Sequence, residues 1–257
     1  MPALSPLRNE RLAALRAEVQ AIESAGAKGA RACLPFGIEA IDKKLAGGGL
    51  PVASLHEIAG ASPKMTDDAA ATLFIAGIAA RLAGPVLWAL SRRDLFAPGL
   101  ASAGLQPGRV IYAECGNDED VLAGMEEGLR HGGLAAVVGE IGRAVAMAPT
   151  RRLQLAAEEG GTVALMLKRW RRSGGDPLGQ PSAAMTRWRI GCVPSAELPV
   201  EGVARPRWRI ELARQRGGEP FELIMEGTDA EGRLALPAGP RHRPAAPDRA
   251  GEGRQAA

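Results

Sequence analysis

The apolar run Leu55-His56-Glu57-Ile58-Ala59-Gly60 leads into a turn and then an Ala-rich stretch with helical spacing. That order is where a phosphate-binding loop of the form GxxxxGK[ST] belongs. In such a loop backbone N–H groups cradle phosphate oxygens, the lysine meets the β- and γ-oxygens, and the last hydroxyl meets Mg²⁺. From Gly60 this chain instead reads Gly60-Ala61-Ser62-Pro63-Lys64-Met65-Thr66-Asp67. Met65 stands at the second glycine position, Thr66 at the lysine position and Asp67 at the hydroxyl position. Each departure opposes phosphate binding. Met65 places a side chain where only glycine lets the backbone curl, Thr66 carries no charge, and Pro63 removes an N–H from the cradle. Asp67 and Asp68 suit the positive end of a helix dipole, yet they repel a triphosphate by roughly a few kcal/mol per close pair. Lys64 lies two positions early and reads as a solvated loop lysine. The expectation is a vestigial loop closed by Met65 and the two aspartates, with no cofactor and no metal bound and no enzymatic activity.

Three other groups of residues carry possible contacts. Thr186-Arg187-Trp188-Arg189-Ile190 and Pro206-Arg207-Trp208-Arg209-Ile210 echo each other as alternating strands. Their arginines, Arg187, Arg189, Arg207 and Arg209, form a basic edge that suits a partner protein or stacking-plus-charge contact with DNA; solvated edge protection around buried tryptophans is the plainer reading. Leu12, Leu15, Val19 and Ile22 fall three or four apart after Ser5-Pro6, giving a helix with one apolar stripe. That stripe docks either on the protein's own core or on a partner. Cys33, Cys115 and Cys192 lie far apart without metal-ligand spacing and read as reduced thiols.

The elements that must position these groups alternate. A short helix carrying Ile38, Ile41 and Leu45 ends at Gly47-Gly48-Gly49. A helix over 66–82 points Leu73, Phe74, Ile78 and Leu82 inward. Buried strands are expected at 85–90, 109–113, 134–140 and 162–167, with helices around Val121, Leu122 and Met125 and over 151–159. Apolar strands alternating with helices imply a mostly parallel sheet with helices on both faces. The two Arg-Trp-Arg segments, a Gly217-Gly218 turn and 221–226 extend it in antiparallel fashion at one edge. Hydrophobic residues are 46% and aromatics 4% of the chain, so aliphatic residues are expected to build the core, and the charge is split, with 14 basic and 16 acidic residues over 1–150 against 18 and 13 over 151–257. No apolar stretch approaches the ~20 residues of a membrane span, and no leader opens the chain, so the expected compartment is the cytoplasm. The division expected is an amphipathic helix and linker over 1–32, a core over 33–230, and a disordered Pro/Arg/Ala-rich tail over 231–257.

These residues resemble the RecA family. Leu34-Pro35-Phe36-Gly37-Ile38, Ile41-Asp42, Gly47-Gly48-Gly49-Leu50-Pro51 and Glu57-Ile58-Ala59-Gly60 follow the order of the RecA approach to its P-loop. The strand ending in Glu140 resembles a Walker B strand, although a lone acid at a strand end is more often structural. Within that superfamily the chain resembles the inducible mutagenesis protein A (ImuA) family, on the degenerate loop, Trp88-Ala89-Leu90-Ser91-Arg92-Arg93-Asp94-Leu95, the two Arg-Trp-Arg segments and Glu211-Leu212-Ala213-Arg214. The resemblance implies an α/β, P-loop-NTPase-type core and a part in SOS-induced translesion synthesis. The implied partners are a catalytically dead Y-family polymerase homologue (ImuB) and an error-prone polymerase III α-subunit homologue, RecA, or both. A weak ATPase or ATP-gated switch using Lys64 and Glu140, a DNA-binding repair module, and a SulA-like inhibitor are the competing readings.

Overall fold

A computed structural model describes residues 32–171, 175–196 and 202–237; the Leu12/Leu15/Val19/Ile22 stripe and most of the expected tail lie outside them. In chain order come β1 (Cys33–Leu34), α1 (Glu39–Asp42), β2 (Leu50–Pro51), β3 (Leu55–Gly60), α2 (Met65–Ala80), β4 (Val86–Leu90) and α3 (Ala97–Ser102). They are followed by β5 (Val110–Glu114), α4 (Asp118–Arg130), β6 (Ala136–Ile141), α5 (Met147–Gly160), β7 (Val163–Lys168), β8 (Thr186–Val193), β9 (Arg207–Gln215) and β10 (Phe221–Glu226). Eight strands form one sheet in the order β10-β9-β8-β3-β7-β6-β4-β5, and β1 and β2 pair separately. Strands from β8 to β5 in that order are parallel, and only the β8–β9 and β9–β10 pairings are antiparallel. The expected antiparallel extension therefore starts one strand later than its first Arg-Trp-Arg segment, because the connection after β7 carries the chain past β3 and lets β8 run parallel to it.

Helices cover both faces. One core packs α1, α2 and α3 on Ile58, Trp88, Leu165, Trp188 and Ile210, and the other packs α4 and α5 on Leu55, Val137, Ala164 and Met166. Alanine at 70, 71, 76 and 79 lets α2 lie close to the sheet, so it is buried around much of its circumference rather than along the stripe that its Leu73 and Leu82 suggest. Aromatics fill more of the core than their scarcity implies. Trp88, Trp188 and Trp208 are fully buried, and Phe74 lies 5.6 Å from Trp188 between ring centroids.

A polar chain stitches β3 to β8. The Trp188 indole N–H donates to Thr186 Oγ1 at 2.7 Å. His56 Nε2 lies 2.8 Å from the Pro51 carbonyl, which can only accept, so Nε2 carries the proton and Nδ1 accepts from the Thr186 hydroxyl at 2.7 Å. Burial lowers the pKa of His56 to about 4 against the Pro51 bond that would raise it.

Three local features differ from expectation. β5 is an edge strand, with Ile111 52% and Tyr112 42% exposed, rather than a buried one. Helix α3 opens on Ala97-Pro98, where Pro98 in the first turn suits the helix start. The core also continues past residue 230. Leu234 is buried, Ala235 and Glu226 exchange backbone hydrogen bonds, and Gly232 sits against Gly77 and Gly104. A Cβ on Gly104, whose φ is +91°, would meet Glu231 C at 2.8 Å and Gly232 Cα at 3.0 Å.

Candidate functional site

The turn after β3 is held by the chain's own side chains. Asp67, in the first turn of α2, is buried. Its Oδ2 accepts from Ser62 Oγ at 2.5 Å and its Oδ1 from the Cys192 N–H of β8 at 2.8 Å. A carboxylate in the first turn of the helix thus ties the loop after β3 to β8. A Cβ on Gly60 would stand 3.0–3.2 Å from the Asp67–Asp68 backbone, so this glycine permits the close return of the helix to the strand.

Beside the turn, Arg169 at the end of β7 donates to Glu140 Oε2 from Nε at 3.1 Å and from Nη2 at 2.7 Å, and from Nη1 to Asp68 Oδ2. Glu140, 6% exposed, also accepts at Oε1 from the Trp88 indole at 2.8 Å. Burial alone would lower the pKa of Arg169, but Glu140 and Asp68 outweigh it and hold the guanidinium above its usual value. The next residue, Trp170, donates its indole N–H to the Gly60 carbonyl at 2.7 Å. Arg169 and Trp170 therefore bridge the Walker-B-like strand, the first turn of α2 and the end of β3.

Other expected residues are placed differently. Met65 is 86% exposed, so it is not packed into the turn, whose side-chain contacts come from Ser62, Asp67 and Asp68. Lys64 and Thr66 are exposed, and Lys64 is the extended residue just before α2. Arg187 lies inside the sheet, with Nε on Glu57 Oε2 at 2.7 Å and Nη2 on the Gln180 carbonyl. Arg189 bonds Asp176 and Glu211, Arg209 lies 4.0 Å from Glu222, and Arg207 is half-buried with an unpartnered Nε. Three of the four arginines of the expected basic edge, Arg187, Arg189 and Arg209, thus stand against acids of the same sheet.

Arg169 and Trp170 were not among the expected site residues. The signal was present in Lys168-Arg169-Trp170-Arg171-Arg172 directly after an apolar strand, because ligands of α/β sheets bind at the carboxyl ends of the strands. A cavity of about 470 Å³ opens there, lined by Ser91, Arg92, Asp118, Glu140, Gly142, Arg169, Trp170 and Arg171. Among the described residues no cluster of His, Cys, Asp and Glu is arranged to hold a metal ion, and no helix is long and apolar enough to cross a membrane.

A mostly parallel sheet, antiparallel at one edge and flanked by helices, with Asp67 tying the loop between β3 and α2 to β8, defines the class: an α/β protein whose architecture is consistent with a RecA-like core. Two relatives, each called Protein ImuA and found in two strains of Caulobacter vibrioides, are 38% identical to it over 215 residues, which is 80% of this chain and 88% of theirs. The chain belongs to the ImuA family. No family model matches it. Membership supports involvement in SOS mutagenesis, the DNA-damage response that the resemblance implied.

Proposed function

We propose that the protein is a non-catalytic accessory of SOS-induced, error-prone translesion synthesis, an adaptor working in the cytoplasm through protein partners. Those partners are the mutagenic polymerase machinery (ImuB and the error-prone polymerase III α-subunit homologue), RecA, or both. The observation that carries the non-catalytic part is the double use of Asp67, whose two oxygens take the Ser62 hydroxyl and the Cys192 N–H where phosphate oxygens would have to enter. A triphosphate would have to break both bonds and then face Asp67 and Asp68 across a few ångströms, at roughly a few kcal/mol of repulsion for each. The Walker-B-like Glu140 is engaged on both oxygens, by Arg169 and by Trp88, and the Arg169 guanidinium stands where a cation would compete for the same carboxylate.

Titration of the full chain with Mg²⁺-ATP, followed by calorimetry and by tryptophan emission, tests this. Trp88 and Trp170 both contact the region, so entry of nucleotide alters their fluorescence. The expected outcome is no saturable binding up to about 1 mM, corresponding to less than ~4 kcal/mol of binding free energy. A micromolar Kd that Lys64→Ala abolishes would overturn the proposal in favour of an ATP-gated switch.

A further inference from the structure

The cavity at the ends of β4, β6 and β7 falls within the 300–1,000 Å³ range typical of ligand sites, roughly speaking, at about 470 Å³. A neighbouring hollow of about 340 Å³, lined by Asn117, Asp118, Glu119, Arg143 and Arg171, shares Asp118 and Arg171 with it. The acids in this groove are already occupied. Glu140 accepts from Trp88 and Arg169, and Asp118 Oδ2 accepts from the N–H groups of Gly142 at 3.0 Å and Arg143 at 2.8 Å. Arg169 is likewise engaged, and the Trp170 N–H is given to Gly60, which leaves its ring. What remains unspent is different in kind. Arg171 is exposed and makes no hydrogen bond or ion pair among the described residues, Arg92 meets only the half-exposed Asp94, and Arg143 keeps a buried Nε without a partner. The free capacity is therefore donor groups and an indole face, which calls for an anion attached to an apolar or aromatic group.

We infer that this groove receives an acidic residue of a partner polypeptide, its carboxylate between Arg92 and Arg171 and a neighbouring apolar side chain against Trp170. The mouth itself selects a carboxylate over a phosphodiester chain. Glu119 is part of the lining, Asp94 sits with Arg92, and Asp120 accepts from the lining Asn117 at 2.9 Å. A strand of nucleic acid brings a charge with every nucleotide and would lay several of them on these acids, whereas one carboxylate brings a single charge between the two arginines. The inference rests on the adaptor reading and names the chemistry of its docking partner.

The probe is a fluorescein-labelled peptide holding Asp-Phe-Asp in a Gly/Ser context, with its Asn-Phe-Asn counterpart and a labelled oligothymidine as comparisons, read by anisotropy on the full chain. The acidic peptide is expected to saturate with a Kd of roughly tens to hundreds of micromolar. Affinity is expected to fall about ten-fold for the amide peptide and for Arg171→Glu, since a charge-assisted contact is lost or reversed. Among the described residues Arg171 has no hydrogen-bond or ion-pair partner to lose, so this variant is expected to keep its fold, and unchanged circular dichroism and urea midpoint check that. The inference is overturned by any of four results: no saturation up to about 1 mM, equal affinity of the amide peptide, indifference to Arg171→Glu, or tighter oligothymidine binding with the same sensitivity to that variant. Those failures remove this docking chemistry only; the adaptor reading itself fails separately, on micromolar ATP binding.

Discussion

Replacing Arg169 with leucine removes three hydrogen bonds that it donates, two to Glu140 and one to Asp68. Glu140 keeps the Trp88 indole, while Asp68, whose Oδ1 is already buried without a partner, keeps none at its side chain among the described contacts. Truncating one member of a buried ion pair costs about 3–5 kcal/mol, because the remaining charge stays desolvated. Arg169 is 20% and Asp68 30% exposed against 6% for Glu140, so water screens part of the loss. The expected destabilisation is then ~2–4 kcal/mol. With a urea slope near 3 kcal/mol/M, the midpoint falls by about 1 M. Urea unfolding followed by tryptophan emission measures this, and Arg92→Leu, which breaks only an exposed pair, serves as a control expected to cost under about 0.5 kcal/mol. Combining Arg169→Leu with Glu140→Gln should give a coupling of about 1–3 kcal/mol. A loss below ~0.5 kcal/mol for Arg169→Leu, or strictly additive single and double variants, would refute the idea that this guanidinium holds the two strand ends and the helix together.

Asp67→Ala removes the acceptor of both Ser62 and the Cys192 N–H and is expected to cost about 1–3 kcal/mol; wild-type stability would contradict the carboxylate's role in tying the loop to β8. Gly60→Ala drives a Cβ against helix backbone that cannot yield cheaply, for a loss of about 1–3 kcal/mol in urea midpoint measurements, and a neutral result would show that strand and helix can separate there. His56 gives a pH dependence whose sign follows from its lowered pKa. The unfolded chain binds the proton near 6.5 and the folded protein only near 4, so stability contributed above that window is lost as pH falls through it, about 3 kcal/mol in all. Midpoints at about pH 7 and about pH 5, compared with those of His56→Asn, isolate this contribution; equal slopes for the two proteins would rule it out.

The strand–helix alternation and both extended faces of the sheet were legible because each strand from β3 to β7 is a short apolar run bounded by turn residues. β5 misled because Val110-Ile111-Tyr112-Ala113 has the composition of a central strand; composition reports β-propensity, and edge position is decided by strand order, which lies outside any local window. β1 and β2 pair through only two residues each, too few for any periodicity. The Gly60–Asp67 departures were visible one residue at a time, yet the direction of Met65 was not, since a helix can turn its first residue outward. Arg169 meets Glu140 across 29 positions and Asp68 across 101, and pairings of that range follow only from strand order. Arg187 shows the same limit: alternation put it on the polar face, but the neighbouring strand supplied Glu57 and buried the pair.

The seat of Gly232 between Gly77 and Gly104 has a practical consequence for anyone shortening or tagging the chain. Because residues 228–235 fill a notch against the end of α2 and then close back on Glu226, a stop codon or fusion joint placed right after the last long strand would uncover the Gly77 and Ala80 side of that helix and remove the bridge to Glu226. Joints placed after residue 237 leave the notch filled.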